Sequence, residues 1–126
     1  MRYADMKIYE ADLHRAVAEL LDLVLMSPAV WTTFPAGWGK LGKAVAGRLK
    51  ASGLKPGFPD IVIFYGAACV GIELKAPEGT LSMEQTDMFR RLANAGMKIH
   101  VCRSQTEVLD ALRRENLPVR NLGYAA

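Results

Sequence analysis

Leu13, Val17, Leu20, Leu21 and Val24 recur at intervals of three and four, which predicts an amphipathic helix over residues 10–26, with Pro28 ending the pattern. Trp31–Phe34 is β-branched and aromatic and reads as a short strand closed off by Pro35 and Gly37. Leu41, Val45, Arg48 and Leu49 keep a weaker helical register over residues 40–51, diluted by Gly42 and Gly47. A turn-rich break, Gly53-Leu-Lys-Pro-Gly57, precedes two strand patterns, Ile61–Tyr65 and Cys69–Leu74. Gly66-Ala67 between them suits a two-residue hairpin turn. Ser82 then opens a helix to about Ala95, with Met88, Phe89 and Leu92 turned inward and Gly96 as its stop. Lys98–Cys102 reads as a strand, and Ser104-Gln-Thr-Glu107 is a capping-box sequence for a last helix carrying Val108, Leu109 and Leu112. The order αβαββαβα predicts an α/β fold: one small mixed sheet flanked by helices.

The 126 residues suffice for a single domain, 1–126, and 51% apolar against 23% charged residues excludes a disordered tail or a coiled coil. The longest uncharged stretch, Leu23 to Gly39, is interrupted by Ser27, Pro28, Thr32, Thr33, Pro35 and Gly37, so it is not expected to span a membrane as a helix. The N-terminal residues show no signal peptide. Cys69 and Cys102 make no CxxC pair or Cys/His cluster, so a reducing, cytoplasmic setting is expected, with neither a disulfide framework nor a zinc site. His14 and His100 suggest no metal pairing.

Net charge is only +3, but it is unevenly spread. No acid occurs between Asp22 and Asp60, an interval holding Lys40, Lys43, Arg48, Lys50 and Lys55. Such a run is either a solvated helix face or a surface that meets nucleic-acid phosphates and releases their counterions. Trp31, Phe34 and Trp38 beside it could stack on bases, pack into the core or serve a dimer contact.

The chemistry concentrates in Pro59-Asp60 and Glu73-Leu74-Lys75. Side chains alternate along a strand, so Glu73 and Lys75 share a face and Leu74 points the other way. A two-residue turn at Gly66-Ala67 sets Asp60 directly opposite Glu73, about 4.5–5.5 Å apart at Cβ. Moving the turn by one residue brings Asp60 opposite Lys75 instead, with all three still on one face. A three-residue loop would change the parity or demand a bulge. Facing like charges destabilise a sheet unless a cation lies between them. Two carboxylates, with the Leu74 carbonyl as a further oxygen, suit Mg²⁺ or Mn²⁺. Such an ion lowers the pKa of bound water and neutralises charge at a phosphodiester under attack, while an adjacent lysine orients that water and stabilises the same charge. A bare Glu-x-Lys is ordinarily a surface ion pair, and Pro-Asp an ordinary turn; their conjunction across a tight hairpin, behind a basic segment, is what points to phosphodiester hydrolysis.

At these residues the chain resembles the PD-(D/E)xK nuclease superfamily and, more narrowly, the small stand-alone VRR-NUC (virus-type replication-repair nuclease) domains of phages and bacteria. The matching text is Leu49-Lys-x-x-Gly53-x-x-x-Gly57-x-Pro59-Asp60-Ile-Val, Ile72-Glu73-Leu74-Lys75, Gly79-x-Leu81-Ser82-x-x-Gln85 and Ala95-Gly96. It implies a restriction-endonuclease-like core and a metal-dependent endonuclease acting on DNA, in stand-alone members as a homodimer on branched structures such as Holliday junctions. It makes Asp60 and Glu73 metal ligands and Lys75 the catalytic lysine. It also asks for an acid on the first helix, best met by Glu10, with Glu19 as the rival. Glu10 at the start of the helix would also suit the helix dipole. Gln85 matches the family glutamine, and its position three residues after Ser82 equally suits a capping box. The loop Pro35–Gly39 lacks the polar or basic residue that relatives often carry there. The competing reading is a non-catalytic nucleic-acid-binding module on the same fold; an unrelated α/β interaction domain with structural ion pairs is a third.

Overall fold

A computed structural model describes residues 1–34 and 42–122. Among the described residues four helices and four strands follow in the expected order: α1 (Tyr3–Val24), β1 (Val30–Thr33), α2 (Lys43–Ala51), β2 (Ile61–Tyr65), β3 (Ala68–Leu74), α3 (Met83–Asn94), β4 (Lys98–Cys102) and α4 (Gln105–Arg114). The strands form one sheet in the order β1-β2-β3-β4. The first three are antiparallel neighbours, and β4 lies parallel to β3 after the crossover through α3. Among the described residues no helix is long and apolar enough to cross a membrane.

The hairpin between β2 and β3 takes the two-residue turn. Tyr65 pairs with Ala68 and Ile61 with Ile72, and Gly66 sits at φ 57°, the left-handed value such a turn requires. Alternation then sends Ile61, Ile63, Val70, Ile72 and Leu74 to one face. There they bury against Leu13, Val17, Leu21 and Val24 of α1 and Val108, Ala111 and Leu112 of α4. The opposite face carries Val62 and Glu73, both buried, and α3 contributes buried Met88 and Phe89.

Two expectations are corrected. The first helix begins at Tyr3 rather than residue 10, because its first two turns bury no apolar residue and leave no periodic trace in the sequence. Glu10 is therefore mid-helix, and the dipole account of it falls. Glu107 closes only half a capping box: Ser104 Oγ accepts from the Glu107 amide, but the Glu107 carboxylate accepts from the Arg103 amide instead of that of Ser104. Of the roles left open for Trp31, core packing is the one observed: it is half-buried against the core with its indole N–H on Asp22 (3.0 Å). Lys40 and Trp38, with the loop Pro35–Gly39, lie outside the described residues.

Candidate active site

The register that pairs Ile61 with Ile72 carries on by one residue to bring Asp60 beside Glu73, locked by two crossed hydrogen bonds. The Asp60 amide donates to Glu73 Oε1 (3.2 Å), and the Leu74 amide donates to Asp60 Oδ2 (2.8 Å). These bonds are the physical reason two like charges hold station at the end of a hairpin, since each carboxylate accepts an N–H from the other strand. The Lys75 amide turns to β4, donating to the Cys102 carbonyl (3.0 Å). Alternation therefore directs the Leu74 amide and carbonyl to the β2 side, next to Asp60.

Glu73 and Lys75 are 2% and 6% exposed, a burial that charged side chains rarely reach unpaired. Lys75 Nζ stands 3.3 Å from Glu73 Oε2 and donates to Gln85 Oε1 (3.1 Å). Gln85 Nε2 donates to Glu73 Oε2 (2.8 Å). The same Gln85 caps α3: its Oε1 accepts from the Ser82 amide (3.0 Å), and its own amide donates to Ser82 Oγ (3.1 Å). The two readings of Gln85 are thus not rivals. Its cap fixes the side chain, and the fixed amide reaches both charged partners.

Burial dominates the electrostatics. Desolvation, then the neighbouring Asp60 charge, pushes the Glu73 carboxyl up to about 7, against the pull of Lys75 and Gln85. Desolvation also raises Asp60, opposed by the Leu74 amide, His14 and Lys75. Two acids that resist ionising together, with hard oxygens converging, are a donor set that a divalent cation would relieve. Among the described residues no group of three His, Cys, Asp or Glu side chains forms a ready-made cage. The protein ligands available are Asp60, Glu73 and the Leu74 carbonyl, which fits a Mg²⁺-like ion that keeps several waters and takes its remaining ligands from phosphate.

Glu10 reaches the site from α1. Its Oε2 accepts from the Ala76 amide (3.0 Å), just past β3, and Lys7 lies 3.4 Å from its other oxygen. A Cβ at Gly79 would stand 3.0 Å from that Oε2, so glycine leaves room for the carboxylate. Glu19 is exposed and does not border the site. A cavity of about 930 Å³ opens over Asp60, Glu73, Lys75 and Gln85, and Glu10 lines it too. Of the basic candidates, Lys50 and Lys55 line this cavity; Lys43 and Arg48 are exposed on α2 but do not.

His14 belongs to the same cavity and was not singled out by the sequence. Thr33 Oγ1 donates to the Asp60 carbonyl (2.7 Å) and, its proton so placed, accepts from His14 Nε2 (3.1 Å). A lone histidine on a helix carries no sequence signal of such a contact, which depends on how α1 lies across β1. His100 is remote, paired with Glu115 at 2.6 Å.

The sequence profile of the VRR-NUC domain matches residues 36–106. A solved structure described as a VRR_NUC domain protein superposes with a TM-score of 0.60 at 20% identity, over 82% of this chain and 84% of that one, a likeness of fold. No curated protein matches the sequence.

Proposed function

The chain belongs to the VRR-NUC domain family, a family of nucleases, and from that premise we propose that it is a divalent-metal-dependent DNA endonuclease. The carrying observation is the crossed pair of Asp60 and Glu73 with Lys75 and Gln85 at hydrogen-bonding distance. Asp60, Glu73 and the Leu74 carbonyl would hold Mg²⁺ or Mn²⁺, which when bound supplies an activated water and charge neutralisation at the phosphate. Lys75 stabilises negative charge on the scissile phosphate and orients the attacking water. Gln85 holds the lysine and Glu73 in register. Glu10 completes the acidic rim from α1. Lys50 and Lys55 draw the backbone of DNA into the cavity, with Lys43 and Arg48 extending the basic track; Lys40, outside the described residues, belongs to the same basic run of the sequence.

The finer reading is selectivity for branched DNA, such as Holliday junctions, by a homodimer. A two-fold assembly sets two sites to cut two strands, and phosphate contacts without base-edge readers favour shape over sequence. The test is incubation with labelled Holliday junction, flap, fork and linear duplex in Mg²⁺, Mn²⁺ or EDTA, beside Asp60→Ala and Lys75→Ala. Cleavage is expected with metal, strongest on branched substrates, absent in EDTA and absent in both variants. Cleavage that survives EDTA or either substitution contradicts the mechanism.

A further inference from the structure

Phe34 and Phe58 form an edge-to-face pair with centroids 5.4 Å apart and planes at 64°, and both rings line the cavity over the two acids. Both are half-buried, and among the described residues neither belongs to the central hydrophobic cluster. Each is bolted to Asp60. The Phe34 amide donates to the Asp60 carbonyl (3.2 Å), and Phe58 precedes Asp60 by two residues with buried Pro59 between. Gly57, at φ 89°, leaves no room for a side chain: a Cβ there would meet the Glu84 carbonyl oxygen of α3 at 2.7 Å. The backbone that aims Phe58 is therefore pressed onto α3. An edge-to-face pair spends one face of one ring and one edge of the other, so π-faces remain for a further aromatic partner.

We propose that Phe34 and Phe58 form a stacking shelf for one unpaired nucleobase beside the scissile phosphate, an inference that rests on the nuclease reading of the same site. A phosphate at Asp60 and Glu73 has its neighbouring base one sugar away, within the cavity that these rings wall. Lys50 and Lys55 in that cavity complement the adjoining phosphates. A base paired within a duplex keeps its faces covered by its neighbours, whereas an unpaired base offers them, and stacking on aromatic rings is sequence-tolerant. The shelf therefore selects substrates with a splayed or single-stranded nucleotide at the cut, and rings mounted on backbone already fixed at Asp60 and α3 have less freedom to lose on binding.

The test uses the full chain, low salt and EDTA, with an oligonucleotide carrying one 2-aminopurine, offered single-stranded and as a blunt duplex. Wild type is expected to quench 2-aminopurine emission in the single strand. The Phe34→Leu, Phe58→Leu double variant should lose about 5- to 100-fold of single-strand affinity while duplex affinity stays within about twofold. Phe58→Trp, alone, should retain the quenching, and thermal unfolding checks that every variant is folded. Equal losses on both substrates, or unquenched emission in wild type, overturn the shelf. A protein that cuts DNA without quenching refutes this inference alone; one that quenches without any metal-dependent cutting refutes the nuclease reading alone.

Discussion

At the scale of single residues, the site is governed by two acids whose burial opposes their charge. Glu73 is raised to about 7 by desolvation and by Asp60, so in the metal-free protein the folded state binds a proton more tightly than the unfolded chain does. The contribution of this group to stability is thus full below the ordinary glutamate range and is lost as pH rises from about 4.5 through about 7. The loss is on the order of 3 kcal/mol. Metal-free melting temperature should fall across that window, and added Mn²⁺ should restore more of it at pH 8 than at pH 5.5, because the cation binds the ionised pair. A metal-free melting temperature that climbs from pH 5 to pH 8 would contradict this. Asp60→Asn keeps an oxygen for the Leu74 amide and removes one of the facing charges. It should leave metal-free stability unchanged or higher at pH 8 while cleavage is lost; a drop in stability would show that the charge pair is not strained. Asp60, Glu73 and Lys75 were legible in the sequence because strand alternation and one turn length suffice to align them. The bond from the Ala76 amide to Glu10 and the contact of His14 with Thr33 were not, since both depend on the angle at which α1 crosses the sheet end.

At the scale of elements, α3 and α2 play opposite parts. Helix α3 is capped reciprocally by Ser82 and Gln85, and the cap also aims the Gln85 amide at Lys75 and Glu73. Ser82→Ala should cost about 1 kcal/mol of stability and reduce turnover more than DNA affinity, measurable by melting and by single-turnover kinetics. An intact rate would separate the cap from the chemistry. Helix α2 has no buried residue and carries Lys43, Arg48 and Lys50. Its charges can therefore be altered without unfolding the core. Lys50→Ala and Lys55→Ala, at the cavity, should each lower the slope of log affinity against log salt by about 0.9 if each meets one phosphate of duplex DNA, with Lys43→Ala and Arg48→Ala acting more weakly. Equal effects at all four positions would indicate a diffuse field rather than a track into the site. The eight elements were readable from their periodicities and breakers. The first two turns of α1 were not, because exposed Tyr3, Ile8 and Tyr9 leave no inward stripe to detect.

At the scale of the whole molecule, a hairpin core braced by α1 and α4 on one face leaves the carboxylates at the other face, open to a large cavity. Of the candidates for a dimer contact in the sequence, Trp31 is committed to Asp22, Phe34 lines the cavity, and Trp38 lies outside the described residues. Among the described residues, an exposed apolar pair on the sheet is Val30 and Phe64, cross-strand partners on β1 and β2 that are 64% and 52% exposed. If two copies meet there, Phe64→Lys should convert a dimeric sedimentation profile to a monomeric one; a profile indifferent to the substitution would move the contact elsewhere. Sheet, helices and cavity meet in the proposal that Asp60 and Glu73 hold one cation between them. It is tested most directly by titrating Mn²⁺ at pH 8 and following the free ion by electron paramagnetic resonance, for wild type and for Asp60→Asn. Wild type should take up Mn²⁺ at least about tenfold more tightly than the variant; equal uptake by the two proteins would contradict the account.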